Sequence, residues 1–273
     1  MTKTVLVTGA SGFVGNQVVK SLVEKNCHVK AVMRKNKKTI FAHTSVEVIL
    51  TNDLFQESEL RLLNILRGVD VVIHCAWYVE PGKYLYSEEN FACVTGTITL
   101  ARAAIKAGVT RFIGLGTCFE YDVSQKLLSV KTPLKPNSIY AEAKVETFHQ
   151  LSTLFNETAV DFLWCRLFYL FGEGEDERRL AAYVHSQLHN NQEVELSDGK
   201  QIRDFIDVKE AAIMIVDSAL SRYVGVQNIC SGQGVTIREF VENIANKYER
   251  KYLLKFNEKF NRSDEPPCII GVK

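Results

Sequence analysis

The sequence predicts an α/β protein with a doubly wound parallel sheet and a small C-terminal α/β lobe. Runs of β-branched and apolar residues alternate with helical patterns along residues 1–165, which is the order that a parallel sheet with crossover helices requires. A glycine-rich stretch lies between the first such run and the first helical pattern, and a tyrosine and a lysine four positions apart follow later. We place the sheet domain at residues 1–165 and most of the lobe at residues 166–273, with segments that return to the sheet.

The glycine-rich stretch predicts a phosphate-binding turn. Gly9 permits the sharp turn out of the strand, and Gly12 lets backbone amides approach a pyrophosphate. Gly15 allows the helix to pack close to the strand, and the helix N-terminus attracts an anion. An ordinary turn is the alternative, but the flanking strand and helix patterns favour dinucleotide binding. The residues expected to bind the cofactor here are Gly9, Ser11, Gly12, Phe13, Val14 and Gly15.

The composition is typical of a soluble globular chain. The net charge of +1 indicates no general attraction to nucleic acid or to a membrane surface. No apolar run approaches the roughly 18 residues of a membrane span, and the chain enters a strand without a signal-peptide pattern. The seven cysteines show no zinc or Cys-x-x-Cys spacing. We therefore expect reduced thiols, no metal site and a cytoplasmic location.

The residue after the second predicted strand, over residues 28–33, bears on the choice of cofactor. An acidic side chain there binds the ribose 2′-hydroxyl of NAD, whereas an arginine accommodates the 2′-phosphate of NADP. The sequence has Arg34 at this point and continues with lysines, without an acid. Because a guanidinium can bind phosphate bidentately, NADP(H) is favoured, with NAD(H) or a solvated basic loop as the alternatives.

The remaining elements follow in the same alternation. His74 ends a buried strand, so we expect it to be structural rather than catalytic. Asn137 or Ser138 can cap the helix that carries Tyr140. Further strands are predicted over residues 46–50, 69–75, 111–116, 160–167, 193–196 and 227–230, and helices over residues 56–67, 84–106, 180–190 and 207–220, with one more helix from residue 236.

Thr117, Tyr140 and Lys144 are the predicted catalytic residues. Thr117 places a hydroxyl at the carboxyl end of the strand over residues 111–116, where doubly wound sheets bind ligands. The spacing places Tyr140 and Lys144 on one helix face. An ammonium about 4 Å away stabilises a phenolate by about 4 kcal/mol, which predicts a pKa of Tyr140 lowered by up to about 3 units. Tyr140 could then exchange a proton with a carbonyl or alcohol oxygen.

These motifs, in this order, resemble the extended short-chain dehydrogenase/reductase family, also described as the NAD-dependent epimerase/dehydratase family. The resemblance covers essentially the whole chain and implies a Rossmann sheet and an NAD(P)-dependent oxidoreductase. The segment Gly116-Thr117-Cys118-Phe119-Glu120-Tyr121 is most similar to nucleotide-sugar 4-ketoreductases of deoxysugar synthesis. Members of the family usually continue through another helix beyond the position of Lys273, so a longer chain is one expectation.

The resemblance also implies further cofactor contacts. Asp53 and Leu54 would reach the adenine, although Asp53 is equally suited to cap a helix. The backbone of Cys75 and Ala76 would line the cleft. Tyr140 and Lys144 would contact the nicotinamide half, with Lys144 on its ribose.

Two positions depart from the family pattern near this cleft. Trp77 stands where a small residue is usual, and Cys93 stands where an asparagine is usual. The hydrogen bonds of that asparagine must then come from elsewhere.

For the substrate, the resemblance implies contacts from Tyr169, Arg203 and Arg262. Tyr169 replaces an asparagine that often touches a sugar nucleotide. Arg203 and Arg262 would bind the diphosphate, which suits a guanidinium. Asp204 is expected to orient Arg203. The implied partners are a nucleotide-sugar substrate and a second copy of the chain.

The function expected from the sequence is NADPH-dependent reduction of a 4-keto-6-deoxy nucleotide sugar. Dehydratases of the family carry an Asp-Glu pair after the threonine, and Cys118 and Phe119 stand there instead. One alternative is a nucleotide-sugar 4-epimerase with bound NAD. Another is a cofactor-binding sensor or scaffold without turnover, against which the intact catalytic residues argue.

Overall fold

The computed structural model describes residues 2–35, 41, 46–261 and 265–273. The helices are α1 (Phe13–Glu24), α2 (Glu59–Ile65), α3 (Glu89–Lys106), α4 (Ile139–Asn156), α5 (Leu180–His189), α6 (Val208–Leu220) and α7 (Ile237–Asn246). The strands are β1 (Thr4–Thr8), β2 (His28–Arg34), β3 (Val46–Thr51), β4 (Val71–His74), β5 (Arg111–Thr117), β6 (Leu127–Leu128), β7 (Asp161–Leu167), β8 (Tyr169–Phe171), β9 (Val194–Leu196), β10 (Ile202–Arg203), β11 (Phe205–Asp207), β12 (Gly225–Ile229), β13 (Val235–Thr236), β14 (Leu254–Phe256) and β15 (Cys268–Gly271).

The central sheet has seven parallel strands in the order β12-β7-β5-β4-β1-β2-β3. The predicted doubly wound α/β fold is therefore confirmed. The chain runs outward from β1 to β3 on one side and from β4 to β12 on the other. The order reverses between β1 and β4, and ligands of open parallel sheets bind at such a reversal, beyond the carboxyl ends of the strands.

Strand β1 shows why the sheet is buried on both faces. Its alternating side chains enter two separate cores: Val5 and Val7 pack with residues of α1 and α6, and Leu6 packs with residues of α2 and α3. All three side chains are fully buried. Covering helices on both faces leave the carboxyl edge of the sheet as the place for a site.

The second half of the chain contributes to two regions. Strand β12 returns to the central sheet beside β7, and α6 packs against α1. The other elements form a lobe with its own core, in which α5 and α7 pack around the parallel pair β9–β14. Strand β10 pairs with β13 and β15, and β8 pairs with β11. The domain boundary at residue 165 stays a prediction.

Two predicted helices are shorter than expected, and each is preceded by a separate 3₁₀ turn. The helix predicted over residues 84–106 is a 3₁₀ turn at Tyr84–Tyr86 followed by α3 from Glu89. The helix predicted over residues 56–67 is a 3₁₀ turn at Leu54–Gln56 followed by α2. There the Ser58 side chain accepts a hydrogen bond from the amide of Arg61, which starts α2 at Glu59.

The seven cysteines are free thiols, six of them buried and Cys75 half-buried. In the described ranges, no three His, Cys, Asp or Glu side chains are grouped so that they could hold a metal ion. Of the helices in those ranges, none is both long enough and apolar enough to cross a lipid bilayer.

Candidate active site

The glycine turn packs backbone against backbone at the reversal point of the sheet. Gly9 has φ of +63°, and a Cβ on it would lie 2.8 Å from the Cα of Ala76, just beyond β4. A Cβ on Gly15 would collide with the carbonyl of Gly9. The amide of Gly12 donates to that same carbonyl at 2.9 Å. Glycine is therefore required at Gly9 and Gly15 by space, and at Gly9 also by backbone conformation.

The N-terminus of α1 opens from this turn and fits an anion. Within the described part of the chain no side chain caps it, and its first turn carries no acidic residue. The first amides of a helix have no partner inside the helix, and the helix dipole adds a partial positive charge. The turn thus suits the pyrophosphate of a dinucleotide. Gly9, Ser11, Gly12, Phe13, Val14 and Gly15 all lie at this turn or in the first turn of α1.

The other predicted cofactor residues lie at neighbouring strand ends. Arg34 is exposed at the end of β2, opposite Thr51 of β3. Asp53 caps the 3₁₀ turn, with its carboxylate 3.0 Å from the amide of Phe55, so its alternative role as a cap is present. Leu54 is buried in the core that the sheet forms with α2 and α3.

Cys75 and Ala76 follow β4 and are tied to β1. Their amides donate to the carbonyl and to the hydroxyl of Thr8, at 3.3 and 3.2 Å. Both residues are half-buried beside the glycine turn. Their cofactor contacts, like those of Arg34, Asp53 and Leu54, stay predictions.

His74 has the structural role predicted for it. Its two ring nitrogens lie 2.8 Å from the hydroxyls of Thr8 and Thr97, which joins β1, β4 and α3. Burial, with a smaller effect of Lys144, lowers the pKa of His74 to about 3. A neutral imidazole with both nitrogens bonded is not available as an acid or base at neutral pH.

The structure brings Thr117, Tyr140 and Lys144 together beyond the carboxyl end of β5. Helix α4 begins after Ser138, whose side chain accepts a hydrogen bond from the amide of Ala141 at 3.3 Å, so of the two candidate caps Ser138 is the one used. This start places Tyr140 and Lys144 in the first turns of α4, and both are buried. The Thr117 side chain is hydrogen-bonded with the phenol of Tyr140.

The predicted lowering of the Tyr140 pKa is wrong. Burial, together with the nearby Tyr84 and Glu120, raises the pKa of Tyr140 above its ordinary value, against the hydrogen bond from Thr117. Lys144 does not offset this, because its ammonium is 5.9 Å from the Tyr140 ring centroid and donates to the carbonyl of Leu115 at 2.7 Å. Burial also lowers the pKa of Lys144 itself to about 7. Tyr140 is consequently a protonated phenol at neutral pH.

Glu120 is a residue of this region whose role the sequence analysis missed. Its fully buried carboxylate accepts hydrogen bonds from the amide of Thr117 at 2.8 Å and from Trp164 Nε1 at 3.1 Å. Arg166 Nε donates to it at 2.6 Å in an ion pair. A Cβ on Gly116 would collide with this group. The Thr-x-x-Glu spacing from Thr117 to Glu120 is a capping-box pattern that could have revealed the contact.

Tyr169 and Arg203 lie together where the lobe meets the sheet. The guanidinium carbon of Arg203 is 5.4 Å from the Tyr169 ring centroid, and Arg203 Nη2 is 3.5 Å from Glu265. Arg203 is buried, and burial raises the pKa of Tyr169. Arg262 lies outside the described residues.

The role expected for Asp204 is wrong. Its fully buried carboxylate accepts hydrogen bonds from the amides of Ser231, Gly232 and Gly271, at 2.8 to 3.0 Å. Arg203 instead donates to the carbonyl of Ile202 at 2.9 Å. Asp204 therefore joins β10, the turn after β12 and β15, because their backbone amides satisfy its charge.

Comparison with known proteins identifies relatives of the chain. A sequence model of the NAD dependent epimerase/dehydratase family matches residues 5–226. The chain is 22% identical to dTDP-6-deoxy-L-talose 4-dehydrogenase (NAD(+)) of Aggregatibacter actinomycetemcomitans, over 98% of this chain and 99% of that protein. It is 32% identical to UDP-glucose 4-epimerase of Vibrio cholerae, over 64% of this chain and 54% of that protein.

A solved structure extends these matches to the fold. UDP-N-acetylglucosamine 4-epimerase from Methanobrevibacter ruminantium M1, in complex with UDP-N-acetylmuramic acid, superimposes with a TM-score of 0.89 at 25% identity. The alignment covers 99% of this chain and 89% of that one.

The sheet, the glycine turn and these matches define the class of protein, an NAD(P)-dependent enzyme of the oxidoreductase type. Because the matched residues make up more than half of the chain, the chain belongs to the NAD dependent epimerase/dehydratase family. The family resemblance predicted from the motifs is confirmed.

Proposed function

We propose that this enzyme reduces the 4-keto group of a 6-deoxy nucleotide sugar with NADPH. The observation that carries the proposal is the Thr117–Tyr140 pair beyond β5, in which a buried phenol lies beside a hydroxyl. A phenol that stays protonated at neutral pH is a proton donor, and ketone reduction needs one proton on oxygen.

The surroundings of the pair support reduction rather than dehydration. Cys118 and Phe119 follow Thr117, and neither side chain is an acid or base at neutral pH. The nearby carboxylate of Glu120 forms an ion pair with Arg166. The relative from A. actinomycetemcomitans adds support, because a 4-dehydrogenase catalyses the reverse of a 4-keto reduction.

In the proposed reaction the cofactor and the residues have separate roles. Bound NADPH supplies the hydride for the carbonyl carbon. Tyr140 donates its phenolic proton to the carbonyl oxygen, which becomes the hydroxyl of the product. Thr117 hydrogen-bonds that same oxygen, and Lys144 holds the nicotinamide ribose. Tyr169 and Arg203 contact the nucleotide-sugar substrate.

The preference for NADP(H) rests on Arg34. Its exposed guanidinium ends β2, where a 2′-phosphate would lie, and Lys35 follows it. The A. actinomycetemcomitans relative is named as an NAD(+) enzyme, so the choice of cofactor needs a direct test.

Titration with NADPH and NADH, followed by nicotinamide fluorescence, provides this test. We expect Arg34→Ala to weaken NADPH binding by about 10- to 100-fold and to leave NADH unchanged, since it removes a charge-assisted phosphate contact. Equal losses for both cofactors would contradict the role of Arg34.

The alternative is a nucleotide-sugar 4-epimerase with bound NAD. The 32% identity to the UDP-glucose 4-epimerase of V. cholerae favours it. A panel of 4-keto-6-deoxy nucleotide sugars and of UDP-hexoses separates the two activities. A reductase consumes one NADPH for each keto sugar converted, whereas an epimerase interconverts hexoses without net consumption of cofactor. Epimerisation without oxidation of NADPH would overturn the reductase proposal.

We also propose that the enzyme is a cytoplasmic homodimer. By analogy with the family, the dimer would form through α3 and α4, which pack against each other on one face of the sheet. Light scattering of the purified protein tests the dimer, and a monomeric mass at micromolar concentration would contradict it.

A further inference from the structure

The segment from Trp77 to Asn90 lies against both central catalytic side chains. The Lys144 ammonium is 3.5 Å from the centroid of the Trp77 ring. The Tyr84 ring makes an edge contact with the Tyr140 ring, with centroids 4.9 Å apart. This short segment therefore contacts both side chains, Lys144 through Trp77 and Tyr140 through Tyr84.

The side chain of Asn90 is hydrogen-bonded both to the Trp77 side chain and to the backbone of Tyr84. Its carbonyl oxygen accepts a hydrogen bond from Trp77 Nε1 at 2.8 Å. Its amide nitrogen donates to the carbonyl of Tyr84 at 2.7 Å and to that of Ser87 at 2.8 Å. Asn90 is fully buried, so a lost hydrogen bond could not be replaced easily by water. Asn90 lies one turn before Cys93 in α3.

Among the residues that the structure describes, the groups that face Lys144 offer its charge no free carboxylate. Burial raises the pKa of Cys75 to about 12 and that of Cys93 to about 11, so both thiols are neutral. His74 is neutral, and Tyr140 is a protonated phenol. Glu120 acts on Lys144 from a distance while paired with Arg166. The face of the Trp77 ring is then a favourable partner for the ammonium, through a cation–π contact.

We propose that residues 77–90 form a brace, fixed by Asn90, in which Trp77 is a positioning residue for Lys144 and Tyr84 is a positioning residue for Tyr140. This inference rests on the catalytic roles proposed above. Trp77 favours the charged form of Lys144 and holds it beside the carbonyl of Leu115. Tyr84 restricts the orientation of the Tyr140 ring.

The contact with Lys144 can be tested without cofactor or substrate. The ¹³Cε resonance of Lys144 is followed against pH in full-length, ¹³C-lysine-labelled protein, and its loss in Lys144→Met assigns it. We expect Trp77→Leu to lower the midpoint of this titration by about 0.5 to 1.5 pH units, since the cation–π contact is lost. Trp77→Phe should recover part of the shift. Tyr86→Ala, an exposed change in the same segment, should leave the midpoint unchanged.

Asn90 adds a second test of the same brace. We expect Asn90→Ala to lower the midpoint, but to add little in the Trp77→Leu background, because Asn90 acts on Lys144 through Trp77. Full additivity, or a Trp77→Leu titration that superimposes on that of the unchanged protein, would overturn the proposal. If Asn90→Ala does not fold, the two Trp77 variants decide the matter alone.

The contact with Tyr140 needs kinetics. We expect Tyr84→Ala to lower kcat about tenfold with little change in KM, and Tyr84→Phe, which keeps the ring, to restore kcat. A Tyr84→Phe variant as slow as Tyr84→Ala would contradict positioning by the ring. The titration of Lys144 involves no turnover, so a protein that shows the shift yet reduces no keto sugar overturns the proposed function and leaves the part of the brace at Trp77 intact.

Discussion

The buried Glu120–Arg166 ion pair and the buried ammonium of Lys144, both near the end of β5, have opposite surroundings. The carboxylate of Glu120 and the guanidinium of Arg166 are at most 2% exposed and lie 2.6 Å apart. Although burial opposes its charge, the pKa of Arg166 is raised, by Glu120 and Tyr121. Lys144 instead faces a carbonyl, an aromatic ring and neutral thiols, and burial lowers its pKa to about 7. The comparison shows that a paired charge is fixed and structural, whereas the charge of Lys144 can respond to pH and to a ligand.

The largest expected effect concerns the chemistry beside these charges. Tyr140→Phe removes the proposed proton donor, so we expect turnover to fall by about 10²- to 10⁴-fold. NADPH affinity and the thermal midpoint should remain nearly unchanged, since the ring and its packing are kept. Tyr86→Phe, an exposed change of the same kind, is the matched control and should retain full activity. Surviving turnover in Tyr140→Phe would show that another group supplies the proton.

The next largest effect concerns the Glu120–Arg166 ion pair. Glu120→Gln leaves Arg166 buried without an opposite charge, and breaking a buried pair costs about 3–5 kcal/mol. We expect urea unfolding to report a loss of free energy of this size. Glu142→Gln, at an exposed site of α4, should change stability by less than about 0.5 kcal/mol. Similar values for the two variants would indicate that water reaches the pair.

The smallest expected effect concerns Lys144 and pH. Its pKa is about 7 in the folded protein against 10.5 for an ordinary lysine, so the unfolded chain binds more protons between these values. The contribution of Lys144 to the free energy of unfolding should therefore rise with pH above about 7, by at most about 1.4 kcal/mol per pH unit. Below pH 7 both states are protonated and this contribution is constant. The measurement is urea unfolding of the unchanged protein and of Lys144→Met at pH 7, 8 and 9. The buried thiols titrate in both proteins, so the free energy of the unchanged protein minus that of Lys144→Met should rise with pH. Parallel curves would show that Lys144 is not desolvated.

The local patterns predicted which residues lie together at the carboxyl edge of the sheet, while their catalytic roles stay predictions. The glycines between β1 and α1 and the hydroxyl that ends β5 are features of single elements or their junctions. The Tyr140–Lys144 spacing is also confined to one helix. The order of the elements then places them at one edge of a parallel sheet, so their proximity follows from topology.

The wrong and missed assignments depend on packing between distant parts of the chain. Glu120 meets Arg166 because β5 and β7 are neighbours and because Gly116 leaves space between them. The pKa of Tyr140 depends on its burial and on the nearby Tyr84, and no spacing in the sequence reveals either of them. Asp204 bonds to amides of residues 231, 232 and 271, so adjacency to Arg203 in sequence was misleading.

The free thiols give the protein native reporters of its own opening. Burial raises the pKa of Cys118 and Cys165 to about 12 and that of Cys230 to about 11, so few thiolates are present at neutral pH. Alkylating reagents attack thiolates, and they need access as well. Labelling of these residues under native conditions therefore measures how often their surroundings open. Cys165 lies in the central sheet and Cys268 in β15 of the lobe, so the order in which they are labelled reports which half of the molecule opens first.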